Sequence, residues 1–357
     1  MKIIIIHDSE LIYFEALKTL ENQKKIVISV YYFHFIKFLF KGILKLNFKI
    51  IKISLKSIFF YIKSFFIKHN IILIGIAPYD WRLIFWMHLL NHNKIIFHNS
   101  WPYWNNDDYP EKPIFLKNFI FKSWEKFILN NNTYIINIIN KSKEEIIKKY
   151  GKDENKIFVI PHCMNDQNYY YMERQKNEKL KILFVGRLVR EKGLDILREV
   201  IKRLPENDFG IIGDGRDKYI LNDVLSAGNV KYYGYINDRK KIGEIMRQYD
   251  VFILPSYKTK NWEEVFGIVL IEAMACGLIC IATDCIGPLH IIKDMENGFI
   301  VKQKNTDMII EKINFIKNNQ EIISKMRFNA IKSVEKYKLN NIINLWQNTL
   351  VKIQKGI

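Results

Sequence analysis

The sequence has few of the features that mark secreted, membrane-spanning or zinc-binding proteins. It contains 4 cysteines in 357 residues and no Cys-x-x-Cys pair, so we expect reduced thiols in a reducing compartment. Cys276, Cys280 and Cys285, with His290, suggest a zinc site. However, Cys276 lies at the end of a predicted helix and Cys280 lies within a predicted strand, which favours thiols packed in the core. Charges interrupt every long apolar run, so no membrane span is predicted. The start, Met-Lys-Ile-Ile-Ile-Ile-His-Asp, turns polar too soon for a secretory signal and predicts a first β-strand.

Acidic residues are absent from a long stretch of the first half. Between Asn22 and Tyr79 the sequence has ten lysines and no Asp or Glu. Most of these lysines are three, four or seven residues apart, which predicts one basic stripe along a single long helix over 35–68. The stripe consists of Lys37, Lys41, Lys45, Lys49, Lys52, Lys56 and Lys63.

The net charge of +18 indicates an anionic partner. Ile, Leu and Phe fill nearly all positions between the stripe lysines, so the helix over 35–68 suits an anionic membrane surface. The alternative is a solvated lysine face on an ordinary amphipathic helix. Nucleic acid is not an expected partner, because the stripe contains no arginine and no nucleic-acid-binding motif accompanies it.

Strand-like and helix-like segments alternate along the whole chain, and the strand segments are almost wholly apolar. This pattern predicts an α/β protein whose parallel sheets are covered on both faces. A length of 357 residues suits two such lobes better than one. The predicted divisions are a first lobe over 1–165, a linker over 166–179, a second lobe over 180–335 and a C-terminal helical segment over 336–357.

The most informative charge is Glu272, the only one in the helix predicted over 267–276. Because this helix is otherwise apolar or small on every side, we expect it to be buried, and a buried carboxylate needs a polar partner. That partner is either a ligand, such as a ribose diol, or a buried Arg or Lys. Glu264 precedes the helix on a loop, where its carboxylate can hold sugar hydroxyls.

Several polar residues follow predicted strands, and ligands of open parallel sheets bind beyond the carboxyl ends of the strands. Arg187 and Lys192 place two cations after the first strand of the second lobe, which suits a diphosphate. The helix that begins after Gly267 offers a second anion site at its N-terminus. The turn from Gly213 to Gly215 leaves room for a base or a ribose. Together these features describe a pocket for a nucleotide-diphosphate sugar.

The motifs of this half resemble those of the retaining glycosyltransferases of family 4. The resemblance is specific over 157–301, and its Glu-x7-Glu element runs from Glu264 to Glu272. Other matching segments are Val185-Gly186-Arg187-Leu188, Glu191-Lys192-Gly193, Gly213-Asp214-Gly215, Leu254-Pro255-Ser256 and Glu296-Asn297-Gly298. The resemblance implies the GT-B fold, which has two Rossmann-like lobes with a cleft between them and a C-terminal helix that packs back on the first lobe.

The resemblance also implies roles for these residues. Arg187 and Lys192 would bind the donor diphosphate and stabilise the departing nucleotide, Glu272 would hold the ribose, and Glu264 would contact the transferred sugar. Further donor contacts would come from the backbone of Phe266, Gly267 and Ile268 beside the sugar, and from Tyr235 and Ile236 along the base.

In the first lobe, His98 matches a histidine that faces the sugar in similar enzymes, and a core or surface histidine is the alternative. The family needs neither a metal nor another cofactor, and no Asp-x-Asp motif is present. The cations of the second lobe would supply the electrostatic stabilisation. The first strand–helix turn, His7-Asp8-Ser9-Glu10, lacks the glycine pair that many members place against the donor phosphate.

The function implied is transfer of a sugar, with retention, from a nucleotide-diphosphate sugar to a lipid-linked or polysaccharide acceptor in cell-surface glycan synthesis. The expected location is cytoplasmic, at the inner face of the plasma membrane. Two alternatives stay open. One is an enzyme of the same fold with other chemistry, such as a nucleotide-sugar epimerase or a phosphorylase. The other is a non-enzymatic protein that binds anionic membranes.

Overall fold

The computed structural model describes residues 1–8, 11–104, 116–173 and 179–356. The chain forms two compact units, of which unit 1 comprises residues 1–162 and 340–357 and unit 2 comprises residues 163–339. Residues 163–173, which the sequence suggested as the end of the first lobe and the start of a linker, therefore belong to unit 2. Ser9 and Glu10 of the first turn, and linker residues 174–178, lie outside the described residues.

Unit 1 contains a six-stranded parallel sheet whose strand order is β2-β1-β3-β4-β5-β6. The strands are β1 Lys2–His7, β2 Val27–Tyr31, β3 Ile71–Gly75, β4 Lys94–Asn99, β5 Thr133–Asn137 and β6 Ile157–Val159. In β1, Ile3 pairs with Ile28 on one side and with Ile71 on the other. Both faces of this central strand are buried, which is why an unbroken isoleucine run forms it instead of an alternating pattern.

The α-helices of unit 1 that precede the last strand are α1 Glu15–Asn22, α2 Phe35–Leu44, α3 Phe48–Ser64, α4 Lys117–Leu129 and α5 Asn140–Tyr150. The 3-10 segments are Leu11–Phe14, Trp81–Asn91 and Glu154–Lys156. The sequence did not predict the segment Trp81–Asn91, because its run of apolar residues has no clear helical period. Asp80 starts this segment by accepting a hydrogen bond from the backbone N–H of Arg82 at 3.0 Å.

The prediction of one long basic helix over 35–68 is wrong. The chain turns between α2 and α3, where Leu46 has a φ of +48° and the Asn47 side chain accepts a hydrogen bond from the N–H of Ile50 at 3.1 Å. Asn47 thereby begins a second helix. A Cβ atom on Gly42 would lie 2.9 Å from Cγ1 of Ile51, so glycine permits the two helices to pack closely. The result is a helical hairpin, and its lysines do not form one continuous stripe.

The hairpin over 35–64 exposes an unusual amount of apolar surface. At its turn, Leu44, Leu46 and Phe48 are 84%, 79% and 81% exposed. Along α3 the usual arrangement is inverted, since Ser54 and Ser57 are fully buried whereas Leu55 and Phe59 face outward with Lys52 and Lys56. Among the described residues, no helix has both the length and the apolarity that crossing a bilayer requires.

Unit 2 contains a second six-stranded parallel sheet, whose order is β12-β11-β10-β7-β8-β9. The strands are β7 Lys181–Val185, β8 Asp208–Ile212, β9 Val230–Gly234, β10 Val251–Leu254, β11 Ile279–Thr283 and β12 Phe299–Val301. The α-helices are α6 Leu194–Arg203, α7 Asn222–Leu225, α8 Arg239–Met246, α9 Ile268–Ala275, α10 Ile286–Ile291, α11 Thr306–Asn318 and α12 Gln320–Ser333. The 3-10 segments are Arg190–Lys192, Lys218–Leu221 and Glu335–Tyr337.

The final helix, α13 Leu339–Lys355, lies almost wholly within unit 1. Its residues Ile342, Trp346 and Ile353 are buried. At its C-terminus, Nζ of Lys94 donates hydrogen bonds to the carbonyl oxygens of Ile353 at 2.7 Å and Gln354 at 2.8 Å. A lysine is well suited to this position, because the last carbonyl groups of a helix have no partner within it and carry a partial negative charge.

Candidate functional site

The carboxyl ends of β7 and β8 come together through backbone contacts. The N–H of Leu188 donates to the carbonyl oxygen of Asp214 at 2.9 Å, and the N–H of Gly186 donates to that of Ile212 at 3.0 Å. A Cβ atom on Gly213 would lie 1.8 Å from the carbonyl oxygen of Gly186, so no side chain fits there. The two turns that the sequence singled out therefore touch each other at this edge of the sheet.

Lys192 and Glu264, which are 72 residues apart in the sequence, form a hydrogen-bonded ion pair. Both side chains are only 12% exposed. Nζ of Lys192 also lies 5.0 Å from the centroid of the Trp262 ring, in a cation–π arrangement. A cation, a carboxylate and an aromatic face thus meet where the sequence predicted a cation for a diphosphate and a carboxylate for a sugar.

The loop that carries Glu264 is held in place by the start of α10. Gly287 donates its N–H to the carbonyl oxygen of Glu264 at 2.9 Å. The carboxylate of the neighbouring Glu263 accepts the N–H of Ile286 at 2.8 Å, where it caps that helix. The two consecutive glutamates therefore have separate roles, with Glu263 fixing the loop and Glu264 facing Lys192.

Glu272 is buried in α9, as the apolar surroundings predicted, and its partner is Arg239. Nη1 of Arg239 lies 2.5 Å from Oε1 of Glu272, and the Tyr169 hydroxyl is 3.5 Å from the same nitrogen. Burial, followed by the charge of Glu272, raises the pKa of Tyr169 far above its usual range, so its hydroxyl stays protonated. Of the two possibilities that the sequence left open for Glu272, an arginine partner is present.

The other predicted donor residues of unit 2 occupy more open positions. Arg187 is exposed after β7 and has no ion-pair partner among the residues that the structure describes. Tyr235 is highly exposed just after β9, and Ile236 is half-buried beside it. The Phe266 side chain is buried against Tyr337, with ring centroids 5.6 Å apart, so only its backbone is available beside Gly267 and Ile268 at the start of α9.

In unit 1, His98 lies at the end of β4 within a group of aromatic and imidazole rings. Its ring centroid is 4.9 Å from that of Phe14 and 6.2 Å from that of His162. Burial, together with the neighbouring His162 and His7, holds the pKa of His98 well below its usual range, so the imidazole is neutral. A neutral imidazole has one donor and one acceptor nitrogen, which suits a hydroxyl group better than a phosphate.

Beside His98, a chain of polar groups joins three loops of unit 1. Nδ1 of His34 is hydrogen-bonded to Oδ2 of Asp8, and Nε2 of His34 lies 3.1 Å from Oδ2 of Asp80. Arg82 grips the Asp80 carboxylate with Nε and Nη2, each at 2.7 Å. Although burial opposes ionisation, these hydrogen bonds and the Arg82 charge lower the pKa of Asp80, so it is ionised at neutral pH.

The cysteines occupy the core positions that the sequence indicated. Cys276, Cys280 and Cys285 are buried and Cys163 is half-buried, and all four are free thiols. Burial raises the pKa of the Cys285 thiol to about 12. Over the described ranges, no group of three or more His, Cys, Asp and Glu side chains is arranged to hold a metal ion.

Sequence reasoning missed several residues that the structure brings to these sites. Arg239 follows the end of β9 and starts α8, a position at a strand end that could have marked it. Trp262 stands two residues before Glu264 and carried a weaker signal. His34 and Asp80 follow strands in the same way, but the sequence alone could not show that His34 would contact both Asp8 and Asp80.

Residues 167–333 match a family described as glycosyl transferases group 1. The matched segment covers slightly less than half of the chain and falls entirely within unit 2. It contains the ion pairs Lys192–Glu264 and Arg239–Glu272. The part of the chain with these two pairs therefore has the sequence features of group 1 glycosyltransferases.

Two curated relatives are named as transferases of sugars to diphospho-undecaprenol-linked acceptors. The N,N'-diacetylbacillosaminyl-diphospho-undecaprenol alpha-1,3-N-acetylgalactosaminyltransferase of Campylobacter jejuni is 27% identical over 61% of this chain and 60% of its own length. The UDP-Gal:alpha-D-GlcNAc-diphosphoundecaprenol alpha-1,3-galactosyltransferase of Escherichia coli is 29% identical over 61% of this chain and 62% of its own length. The chain thus matches about three fifths of the length of these relatives.

A solved glycosyltransferase structure from Rickettsia africae shares the fold over 99% of this chain and 98% of its own, with a TM-score of 0.72 and 19% identity. The predicted fold class is confirmed: the protein is α/β, with two Rossmann-like lobes of the GT-B type. The C-terminal helix returns to the first of these lobes, as predicted.

Proposed function

We propose that this protein is a retaining glycosyltransferase of family 4 that moves a sugar from a nucleotide-diphosphate sugar to a lipid-linked or polysaccharide acceptor in cell-surface glycan synthesis. The observation that carries the proposal is the largely buried ion pair of Lys192 and Glu264. This pair lies in the segment that matches group 1 glycosyltransferases. The names of two relatives, which specify sugar transfer to diphospho-undecaprenol-linked acceptors, support the acceptor class.

The proposed donor site assigns the diphosphate to Lys192 and Arg187. Arg187 is exposed and has no ion-pair partner within the described ranges, so binding a phosphate would not cost it an existing ion pair. Lys192 is oriented by Glu264 and by the Trp262 ring. In the reaction these cations stabilise the charge that develops on the departing nucleotide, and Glu264 accepts hydrogen bonds from the sugar.

In the same proposal Glu272 of the Glu-x7-Glu element binds the ribose while it stays paired with Arg239. A carboxylate accepts about four hydrogen bonds, and Arg239 approaches Oε1. The ion pair therefore fixes the position of the carboxylate in α9. Neither a metal nor another cofactor has a place in this scheme, because the two cations supply the electrostatic stabilisation.

Donor binding can be tested by thermal unfolding of the full chain with a panel of nucleotide-diphosphate sugars. A donor present at about 100 times its dissociation constant stabilises the folded state by about 2.7 kcal/mol. The variants Arg187→Ala and Glu272→Ala should abolish this effect, whereas Arg203→Ala, a change on the exposed surface of unit 2, should keep it. A panel without any shift, or a shift that both site variants retain, would contradict the proposed donor site.

For the hairpin over 35–64 we propose binding to the anionic inner face of the plasma membrane. Lysines are its only charged residues, since no acidic residue occurs between Asn22 and Tyr79. Many of its apolar residues are exposed, among them Leu46, Phe48 and Phe59, while serines fill much of the buried side of α3. Exposed apolar residues beside lysines match the boundary between the acyl chains and anionic headgroups.

Liposome flotation tests this surface. The full chain should float with vesicles that contain anionic lipid and much less with neutral vesicles, and Lys49, Lys52, Lys56 and Lys63 changed together to Gln should abolish the difference. The matched control changes four exposed lysines of unit 2 to Gln, namely Lys260, Lys293, Lys325 and Lys332. Equal recovery with both kinds of vesicle, or equal loss in both variants, would refute docking through the hairpin.

A further inference from the structure

The segment over 165–171, most of which the sequence suggested as linker, packs tightly on α8 and on the residue that follows α9. A Cβ atom on Gly243 would lie 2.1 Å from the carbonyl oxygen of Asn168. A Cβ atom on Gly277 would lie 2.4 Å from Cδ2 of Tyr171. Since neither glycine can be replaced without displacing this backbone or this ring, the segment has a defined position on unit 2.

Polar contacts hold the same segment in place. The carbonyl oxygen of Asn165 accepts the N–H groups of Asn168 at 3.0 Å and Tyr169 at 3.1 Å, which forms a turn. Nη1 of Arg247 donates to the carbonyl oxygen of Asn168 at 3.0 Å, and its guanidinium group lies 4.2 Å from the centroid of the Tyr170 ring. The backbone that carries Tyr169 is therefore fixed on both sides of this residue.

Tyr169 is the one buried residue of three consecutive tyrosines. It is 2% exposed, whereas Tyr170 and Tyr171 are 44% and 40% exposed. Its hydroxyl lies 3.5 Å from Nη1 of Arg239, the same nitrogen that contacts Oε1 of Glu272. The tyrosine hydroxyl, the guanidinium group and the carboxylate therefore form one cluster, in which each group belongs to a different element of unit 2.

The hydroxyl of Tyr169 can act as a donor to the carboxylate. Burial raises the pKa of Tyr169 far above its usual range, and the charge of Glu272 and a hydrogen bond to its carboxylate act in the same direction. The hydroxyl therefore stays protonated. A donor fixed by the turn at Asn165 and a second donor from α8 restrict the rotation of the Glu272 side chain, which on its own could adopt several rotamers.

We propose that Tyr169 is a positioning residue for nucleotide binding, because its hydroxyl and Arg239 together hold the Glu272 carboxylate in the orientation that accepts hydrogen bonds from a ribose. The inference rests on the proposed function, in which Glu272 binds the ribose, and it adds a residue from outside the Glu-x7-Glu element. A carboxylate held in advance in its binding orientation loses less conformational freedom when the ribose binds.

The experiment compares the affinities of UDP, GDP and ADP with those of their 2′-deoxy forms for the full chain, by isothermal titration calorimetry. For a nucleotide that binds, the unaltered chain should prefer the ribose form about tenfold, the usual effect of a hydrogen bond to a charged group. Tyr169→Phe should reduce this preference to about threefold, because Arg239 alone then orients the carboxylate. Glu272→Gln should abolish the preference, and Tyr169→Phe added to Glu272→Gln should have no further effect.

The matched control is Tyr249→Phe. Tyr249 is also a buried tyrosine of unit 2, and its hydroxyl lies 3.0 Å from that of Tyr233 instead of contacting Glu272. This variant loses a buried hydroxyl in the same way and should keep the tenfold preference. A purely structural role of Tyr169 would weaken both forms of the nucleotide equally, so an unchanged preference in Tyr169→Phe would overturn the proposal.

A second measurement uses the unaltered chain, so it does not depend on a variant that folds. In spectra of protein labelled with ¹³C at Cζ of tyrosine, the signal of Tyr169, assigned with Tyr169→Phe, should shift more with the ribose form than with the 2′-deoxy form. Equal shifts with both forms would overturn the proposal, because the hydroxyl would then not respond to the ribose.

The outcomes distinguish this inference from the proposed function. A ribose preference that requires Glu272 but not Tyr169 would overturn the positioning role and leave the donor site intact. Nucleotide binding without any ribose preference would overturn the roles of both residues while the diphosphate site remained. Absence of binding by all three nucleotides would overturn the proposed function and this inference together.

Discussion

Units 1 and 2 are built on the same kind of six-stranded parallel sheet, yet their charged residues are distributed differently. In unit 2, cations and carboxylates meet at the sheet edge as the pairs Lys192–Glu264 and Arg239–Glu272. In unit 1 seven lysines lie on the hairpin over 35–64, and Asp8 and Asp80 line a cavity in which His34 contacts both carboxylates. Unit 2, which contains the family match, therefore pairs its buried carboxylates with cations at the sheet edge, whereas the acid-free hairpin of unit 1 leaves its lysines on the surface.

The largest effect that would test this contrast is expected at Lys192 of unit 2. The change Lys192→Met should lower sugar transfer, or donor hydrolysis, about 100- to 1,000-fold, because a cation beside the leaving phosphate is lost. The control Lys260→Met removes an exposed lysine of the same unit and should leave the rate unchanged. If Lys192→Met retained full activity, the cations of unit 2 would not be the catalytic groups.

The second-largest effect is a loss of stability of unit 1 at low pH. Burial lowers the pKa of His162 from 6.5 to about 4, so between these values the unfolded chain binds more protons than the folded chain. The free energy of unfolding should therefore fall by roughly 3 kcal/mol as the pH drops through this window. Six of the seven tryptophans lie in unit 1, so tryptophan fluorescence during urea unfolding reports mainly on this unit.

The variant His162→Gln should reduce this pH dependence, and His92→Gln, which changes an exposed histidine of unit 1, should retain it. His98 contributes in the same direction, because its pKa is also lowered. Identical pH profiles for the His162→Gln variant and the unaltered chain would show that His162 is not buried in its neutral form.

The third effect is the stability of unit 2. The change Arg239→Met leaves Glu272 buried without its cation and should cost about 2 kcal/mol, less than for a fully buried pair because Arg239 is partly exposed. The double variant Arg239→Met, Glu272→Gln should recover most of this loss, as measured by denaturant unfolding. The control Arg216→Met removes an exposed cation. Equal stability of the single and double variants would mean that an unpaired charge on Glu272 does not destabilise unit 2.

The smallest effect compares two helix N-caps, one in each unit. Asn47→Ala in unit 1 and Asn305→Ala in unit 2 each remove a side chain that accepts a backbone N–H, at 3.1 Å and 3.0 Å respectively. Each change should cost about 1 kcal/mol. Only Asn47→Ala should also weaken binding to anionic vesicles, because it loosens the turn of the hairpin. Equal vesicle binding by both variants would show that the turn of the hairpin does not contribute to membrane binding.

Much of the fold could be predicted from the sequence, because buried parallel strands require unbroken apolar runs such as Ile3–Ile6. The hairpin could not be predicted in the same way. The lysine spacing continues across the turn at Leu46, so the periodicity is compatible with one helix or two. The break depends on local contacts, namely the Asn47 cap and the packing of Ile51 on Gly42.

The candidate site was predictable in part for a similar reason. Strand ends mark where polar residues gather, so Arg187, Lys192 and Glu264 could be assigned to one edge from the sequence. Their partners could not be assigned, since a pairing such as Arg239–Glu272 depends on which helices pack together. In unit 1 the sequence singled out His98 and the turn at Asp8, but it could not show that three separate loops would bring Asp8, His34 and Asp80 together.

The sequence by itself determined that this chain forms two α/β lobes, that its second half carries glycosyltransferase motifs, and that Glu272 needs a polar partner in an apolar helix. Only the tertiary structure decided that this partner is Arg239, that Lys192 faces Glu264, and that Asp8, His34 and Asp80 share a cavity. The physical reason is one of range. The apolar runs and periodicity that predict strands and helices involve residues close together in the sequence. An ion pair, by contrast, can join residues far apart in the sequence that only folding brings within hydrogen-bond distance.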